Sequence, residues 1–293
     1  MARLPIGTAI LRRYVLIGAI GQGGVSTVYS AVDARRGRML AVKVFAPTQD
    51  DNPGARDDVR REALITDRLR HPSVPRVFEY GEAPLPDGTV VPYVVLELLS
   101  GVPLIDRLAR GPLDWPEAVR IAATAADVLA VAHRRGVVHR DLNARNIMVT
   151  PNGIKIIDFG LATAALRTGD SGPHPIVVRS GTRRPRPPSH PKTAFARPAD
   201  DVYTLGVLLY EMVTGRSPYP PRVAATILAA GRVGHLAPTP VLAVPGLPTE
   251  VRDLVRACMA KAPEDRPASA DAALALWAIL DRHSVRLPEP SYN

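Results

Sequence analysis

An α+β chain in two lobes, a small β-rich one with one main helix and a larger, mostly α-helical one, follows from three features of the 293 residues. Apolar and polar residues alternate within Leu16 to Val44, and Val90 to Leu98 is again strand-like. Apolar residues recur at helical spacing from Leu104 onward, and Glu97-Leu98-Leu99-Ser100-Gly101 separates the two patterns. Alternation buries one face of a strand, whereas recurrence every three or four residues buries one stripe of a helix.

The first lobe opens with an apolar run, Tyr14 to Ile20, that contains Gly18 and lacks a small-residue cleavage site, so it reads as a strand rather than a signal segment. A glycine turn at Gly21-Gln22-Gly23-Gly24 follows, then Thr27-Val28-Tyr29-Ser30-Ala31-Val32 and Met39-Leu40-Ala41-Val42-Lys43-Val44. Glycine between alternating runs is hairpin chemistry. Asp57 to Leu69 carries apolar residues at helical spacing and supplies the lobe's one helix.

In the second lobe the helical patterns are Trp115–Arg135, Asp201–Thr214, Pro248–Ala260 and Ser269–Arg282. Ser171 to Ala199 holds seven prolines and no acidic residue, which predicts a mobile loop. The lobes are expected over 11–99 and 100–283, with a short tail over 284–293. The cleft above the Glu97–Gly101 hinge is the expected ligand site.

Composition narrows the function. A hydrophobic content of 46% supports a substantial core and excludes disorder throughout. No stretch reaches the roughly 18 apolar residues of a membrane span. One cysteine, Cys258, allows no internal disulfide and no cysteine-based metal site, and fits a reducing, cytoplasmic setting. The excess of 37 basic over 28 acidic residues, a net charge of +9, favours acidic partners. Nucleic acid is not supported: aromatics are 5% of the chain, and no basic segment interleaves with them as a stacking platform requires.

The chemistry is concentrated in five pieces. His139-Arg140-Asp141-Leu142-Asn143-Ala144-Arg145-Asn146 and Asp158-Phe159-Gly160 bring two acids and an amide where phosphoryl transfer needs a base and metal ligands. Before them come the glycine turn, Lys43 in Ala41-Val42-Lys43, and Glu62 on the expected helix. The glycines alone could belong to a dinucleotide fingerprint, but that motif needs a helix directly after them and an acid about 20 residues on. A strand follows here, and no Walker A sequence occurs.

Taken in order, these pieces resemble the eukaryotic-like (Hanks-type) serine/threonine protein kinases of bacteria, from about Leu11 to Arg282. Ala132-His133-Arg134-Arg135-Gly136-Val137-Val138, Asp201-Val202-Tyr203-Thr204-Leu205-Gly206-Val207 and Pro263-Glu264-Asp265-Arg266-Pro267 extend the likeness. The resemblance implies the two-lobed protein-kinase fold and an ATP- and Mg²⁺-dependent enzyme phosphorylating serine and threonine hydroxyls of proteins, its own included. It makes Asp141 the base, Lys43 the partner of the α- and β-phosphates held by Glu62, and Asn146 and Asp158 the metal ligands. Ile20, Gly21, Gln22, Gly23, Gly24, Val25 and Ser26 would cover the phosphates, with Ser26 in place of the family's third glycine. Val28, Ala41 and Met148 would sandwich the adenine, Leu96 would be the gatekeeper, and Glu97 and Leu99 would offer backbone groups. His139 reads as a packed core residue. Arg140 would answer a phosphate, with Thr168, Ser171 and Ser180 as available acceptors.

Three departures stand out. The family's lysine two residues after the base is Asn143 here, and Arg145, four residues after it, is the candidate replacement cation. Gly181-Thr182-Arg183-Arg184-Pro185-Arg186-Pro187-Pro188-Ser189 replaces the substrate-docking loop; Thr182 survives, while the aromatic and the glutamate of Ala-Pro-Glu do not. Arg266, which in the family pairs with that glutamate, therefore lacks its partner at the position aligned with Ser189, and a loosened loop is expected. The basic run Arg179, Arg183, Arg184, Arg186, Lys192 and Arg197 suggests an acidic protein substrate. Two other readings remain open: a nucleotide-binding pseudokinase acting as a scaffold, and a small-molecule kinase sharing the ATP half.

Overall fold

The computed structural model describes residues 4–23, 26–46, 66–85, 87–157, 159, 163–164, 197–219 and 240–283. The first lobe is a six-stranded antiparallel sheet of β1 (Ala9–Ile10), β2 (Tyr14–Gln22), β3 (Ser26–Asp33), β4 (Arg38–Phe45), β5 (Val77–Pro84) and β6 (Val90–Leu96), in the order β1-β2-β3-β4-β6-β5. Register irregularities between Leu16 and Gly18 and between Ala19 and Gly21 bend β2 as it approaches the glycine turn.

Alternation along β4 sorts the side chains as the sequence predicts. Leu40, Val42 and Val44 join Tyr14, Leu16, Tyr29, Tyr93 and Val95 in the core of one sheet face. Phe45 on the opposite face packs with Val94, Leu96 and Val77, and the Lys43 ammonium lies 5.1 Å from the Phe45 ring centroid. Four strands are also tied by charge. Arg13 on the turn before β2 forks onto Asp33 (Nη2 to Oδ2, 2.8 Å; Nε to Oδ1, 3.0 Å), and Glu79 accepts from Arg13, Tyr14 and Tyr93 at 2.9, 2.6 and 2.7 Å.

Of the helix expected over 57–69, residues 66–69 are described and helical, and the rest lies outside the described residues. Strand β5 went unread in the sequence, because Glu79, Gly81 and Glu82 interrupt its apolar pattern.

The second lobe holds α1 (Leu104–Leu108), α2 (Trp115–Arg134), α3 (Pro198–Thr214), α4 (Thr249–Cys258) and α5 (Ser269–Arg282). Helix α2 buries Ala118, Ala122, Ala125, Ala126 and Ala132, small side chains that let it pack closely against α3 and α5. Where α3 meets the end of α4, a Cβ on Gly206 would lie 2.8 Å from Cys258 Cβ and 2.9 Å from Met259 Cγ, so that approach needs glycine. Helix α3 starts at Pro198, so the last two residues of the loop expected over 171–199 are helical. Proline suits a first turn, whose N–H has no intrahelical acceptor anyway, and Asp200 Oδ2 accepts the Arg197 N–H at 3.1 Å to cap the start.

Short strands that the sequence reading did not find complete this lobe: β7 (Val102–Pro103), β8 (Val137–Val138), β9 (Ile147–Thr150), β10 (Gly153–Ile156) and β11 (Thr163–Ala164). Strands β10, β9 and β7 form one sheet, and β8 pairs with β11. Runs of two to four residues carry too little alternation to be recognised. The Glu97–Gly101 hinge is irregular backbone, and a Cβ at Gly101 would strike the Val149 carbonyl of β9. Across the hinge, Lys155 on β10 holds the Glu97 carboxylate at 2.9 and 3.0 Å, and the Ile156 N–H donates to Ser73 O at 2.8 Å.

Candidate active site

The loop between β8 and β9 carries Asp141 and Asn146 and is shaped by Asp201 from the first turn of α3. Asp201 Oδ2 accepts the His139 N–H at 2.7 Å and Oδ1 accepts the Arg140 N–H at 2.8 Å, while His133 on α2 reaches the same carboxylate at 2.8 Å. The clamp holds Arg140 at φ +70°, a left-handed conformation that side-chain-bearing residues rarely adopt without support. His139 is fully buried, as its core reading requires, with its ring 4.6 Å from that of Phe159.

Past that point the loop turns on Asp141. Asn146 Nδ2 donates to Asp141 O at 2.9 Å and to Asp141 Oδ2 at 3.1 Å, so base candidate and amide are locked side by side. The Ile157 N–H donates to Asn146 O at 2.9 Å, which brings the residue before Asp158 against the same loop. Asp158 itself, with Glu62, Gly24, Val25 and Thr182, lies outside the described residues.

Asn143 is 2% exposed, and both ends of its amide are engaged: Nδ2 donates to Asp141 O at 2.8 Å, and Oδ1 accepts the Arg145 N–H at 2.9 Å. Arg145 is exposed.

The nucleotide side is assembled from neighbouring strands. Ala41 pairs with Ser30 and Leu96, and Lys43 with Val28 and Val94, so Val28, Ala41, Lys43 and Leu96 share one patch of sheet. Leu96 runs directly into the hinge. Met148 on β9 pairs with Pro103 on β7, just past the hinge on the opposite side of the cleft. Glu97 donates its N–H to Arg76 O at 2.9 Å, so what it could give a base is its carbonyl; Leu99 lies two residues further along the same coil. Ile20, 55% exposed at the tip of β2, stands with Gly21 and Gln22 before a turn closed by the Gly23 N–H on Ser26 O at 2.8 Å.

The protein kinase domain family matches residues 14–278. The chain belongs to the protein kinase family. It is 36% identical over 293 residues to the serine/threonine-protein kinase PknA of Mycobacterium tuberculosis, covering 98% of this chain and 65% of that one. It is 34% identical over 256 residues to PknB of the same organism, covering 87% of this chain and 40% of that one. The chain thus spans about two thirds or less of the curated relatives it matches. Among solved structures, the crystal structure of a mutant PknI kinase domain from Mycobacterium tuberculosis superposes with a TM-score of 0.69 at 23% identity, over 95% of this chain and 99% of that one, a likeness of fold.

In this chain the arginine expected to lack a partner has one. The Arg266 side chain is fully buried; Nε donates to Ala260 O at 2.8 Å, Nη2 to Lys261 O at 3.2 Å, and Nη1 to Ala199 O at 3.0 Å, with Asp200 Oδ1 3.5 Å away and the Tyr203 ring beneath. Loosening of the loop is therefore not required to explain Arg266. Neither Asp200 as its partner nor Asp201 as the clamp was assigned a role from sequence, although two adjacent acids opening a helix are a visible signal.

Proposed function

We propose that this kinase transfers the γ-phosphoryl group of ATP to serine and threonine hydroxyls of protein substrates, its own chain among them. The observation that carries the reading is the Asp141–Asn146 pair, locked by two hydrogen bonds on a loop that Asp201 clamps from below. In this reading Asp141 orients the substrate hydroxyl and takes its proton as the oxygen-to-γ-phosphorus bond forms and the bond from the γ-phosphorus to the β–γ bridging oxygen breaks. Lys43 meets the α- and β-phosphates and is held by Glu62. Val28, Ala41, Met148 and Leu96 enclose the adenine, and Glu97 and Leu99 hydrogen-bond it. Rate acceleration then comes from positioning and fixed charge rather than from covalent chemistry.

The donor set fits Mg²⁺. Both side-chain hydrogen bonds of Asn146 use Nδ2, which leaves Oδ1 as the hard oxygen that such an ion takes. Asp158 would be the second protein ligand. The ion, when bound with ATP, neutralises charge on the phosphate oxygens.

Among the described residues no helix is long and apolar enough to cross a membrane. The lone buried Cys258 and the use of ATP support a cytoplasmic setting for this domain. The basic run from Arg179 to Arg197 supports acidic substrates, and no feature supports nucleic acid. Incubation with labelled ATP, Mg²⁺ and a generic protein substrate tests the reading. Label transfer that Asp141→Asn abolishes is expected; equal transfer by both proteins overturns it. Acidic peptides should outrun basic ones by a margin that shrinks as salt screens the charges.

A further inference from the structure

The loop from Asp141 to Asn146 closes on one carbonyl. Asp141 O receives Nδ2 of Asn143 at 2.8 Å and Nδ2 of Asn146 at 2.9 Å, and Asn143 Oδ1 receives the Arg145 N–H at 2.9 Å. Asn143 thereby spans the loop, with its donor end on the carbonyl of Asp141 and its acceptor end on the amide of Arg145. At 2% exposure it has no room to reach into the cleft, whereas Arg145 is exposed.

We propose that Asn143 is a positioning residue, an internal brace that sets the Asp141–Asn146 spacing and presents Arg145 as the cation that meets the transferred phosphoryl. This rests on the phosphotransfer reading above. The side chain is chosen by geometry: position 143 needs one donor and one acceptor at the reach of a single methylene. Aspartate keeps the acceptor and loses the donor; lysine has donors and no acceptor and would bury an ammonium. Alanine loses both. With its N–H pinned, the Arg145 backbone is ordered before substrate arrives, so its guanidinium, whose planar donors suit phosphate oxygens, gives up less freedom on engaging them.

Two measurements test the brace, one of them independent of activity. By hydrogen exchange on the whole chain, the Arg145 amide should be protected in the parent and exchange freely in Asn143→Ala; equal exchange in the two overturns the brace. In steady-state kinetics Asn143→Ala should lower kcat by roughly 10- to 100-fold, the scale of a misplaced catalytic group, with KM for ATP little changed. Arg145→Ala should lose kcat similarly and recover part of it with free guanidinium, a rescue that Asn143→Ala should not show. Asn143→Lys should lose activity and melting temperature together; should it not fold, Asn143→Ala carries the test. An Asn143→Lys variant as stable and active as the parent, or Arg145→Ala with parental kcat, overturns the inference. A parent that transfers no phosphoryl sinks the proposed function instead, and the exchange experiment then still decides whether Asn143 braces the loop.

Discussion

Arg266 and Asp200 form a buried ion pair, Nη1 to Oδ1 at 3.5 Å, between the segment after α4 and the first turn of α3. The side chains are 0% and 8% exposed, and burial pushes the guanidinium's pKa down while Asp200 and Tyr203 hold it up. Asp200 also caps its own helix through the Arg197 N–H, so one carboxylate starts α3 and neutralises the arginine that the rest of the lobe encloses.

Removing either partner should therefore strand a charge. Asp200→Ala is expected to cost about 3 kcal/mol, the low end for breaking a buried pair, because three backbone carbonyls still hold the guanidinium. Ser189→Glu should leave the melting temperature unchanged, since Arg266 is already satisfied. Urea denaturation of the first variant and a thermal melt of the second check the two statements, and a stabilising Ser189→Glu would show that Arg266 still seeks a partner in the loop.

Asp201→Asn should separate folding from function. The amide keeps one acceptor oxygen but turns an NH₂ group either toward the Arg140 N–H or toward the His139 N–H and His133 together, so at least one backbone contact is lost. Arg140 at φ +70° then loses support. Stability should fall by about 1–3 kcal/mol, and kcat should fall far more than KM for ATP. Parental kcat in a folded Asp201→Asn protein would remove Asp201 from the machinery.

Gly206→Ala tests the close approach of α3 and α4. The added methyl meets Cys258 Cβ at 2.8 Å, and because that atom belongs to a packed helix end the neighbours cannot swing away. A loss of about 1–3 kcal/mol is expected. The same packing buries the Cys258 thiol and pushes its pKa up to about 12, so alkylation at pH 8 should track global unfolding; rapid labelling of native protein would contradict the packing.

Acid should release the Arg13–Asp33 fork. The Asp33 pKa is lowered from 3.8 to about 2, first by the hydrogen bonds from Arg13. A lowered folded-state pKa means stability that is fully present above 3.8 and lost as pH falls through about 2. Asp33→Asn should thus be less stable than the parent at neutral pH, with the gap closing between pH 4 and pH 2 in thermal melts. A gap independent of pH would show that Asp33 contributes through packing alone.

What order along the chain decided is whatever neighbouring residues decide among themselves. The alternation around Lys43 and the helical periodicity of Trp115–Arg134 are short-range patterns, and the structure repeats them nearly residue for residue. The family was equally open, because the residues from His139 to Asn146 are contiguous and their chemistry depends on type and spacing. The roles that went unseen join distant positions: Arg266 with Asp200 across 66 residues, His133 with Asp201 across 68, Lys155 with Glu97 across 58. Each depends on which polar groups the apolar packing of helices and strands leaves facing one another, and in the first two pairs burial then forces those groups to pair. Asn143 shows the limit at its narrowest. Its identity and its distance from Asp141 were plain in the sequence, but only the folded loop, by turning its amide inward, made it a brace and left the outer surface to Arg145.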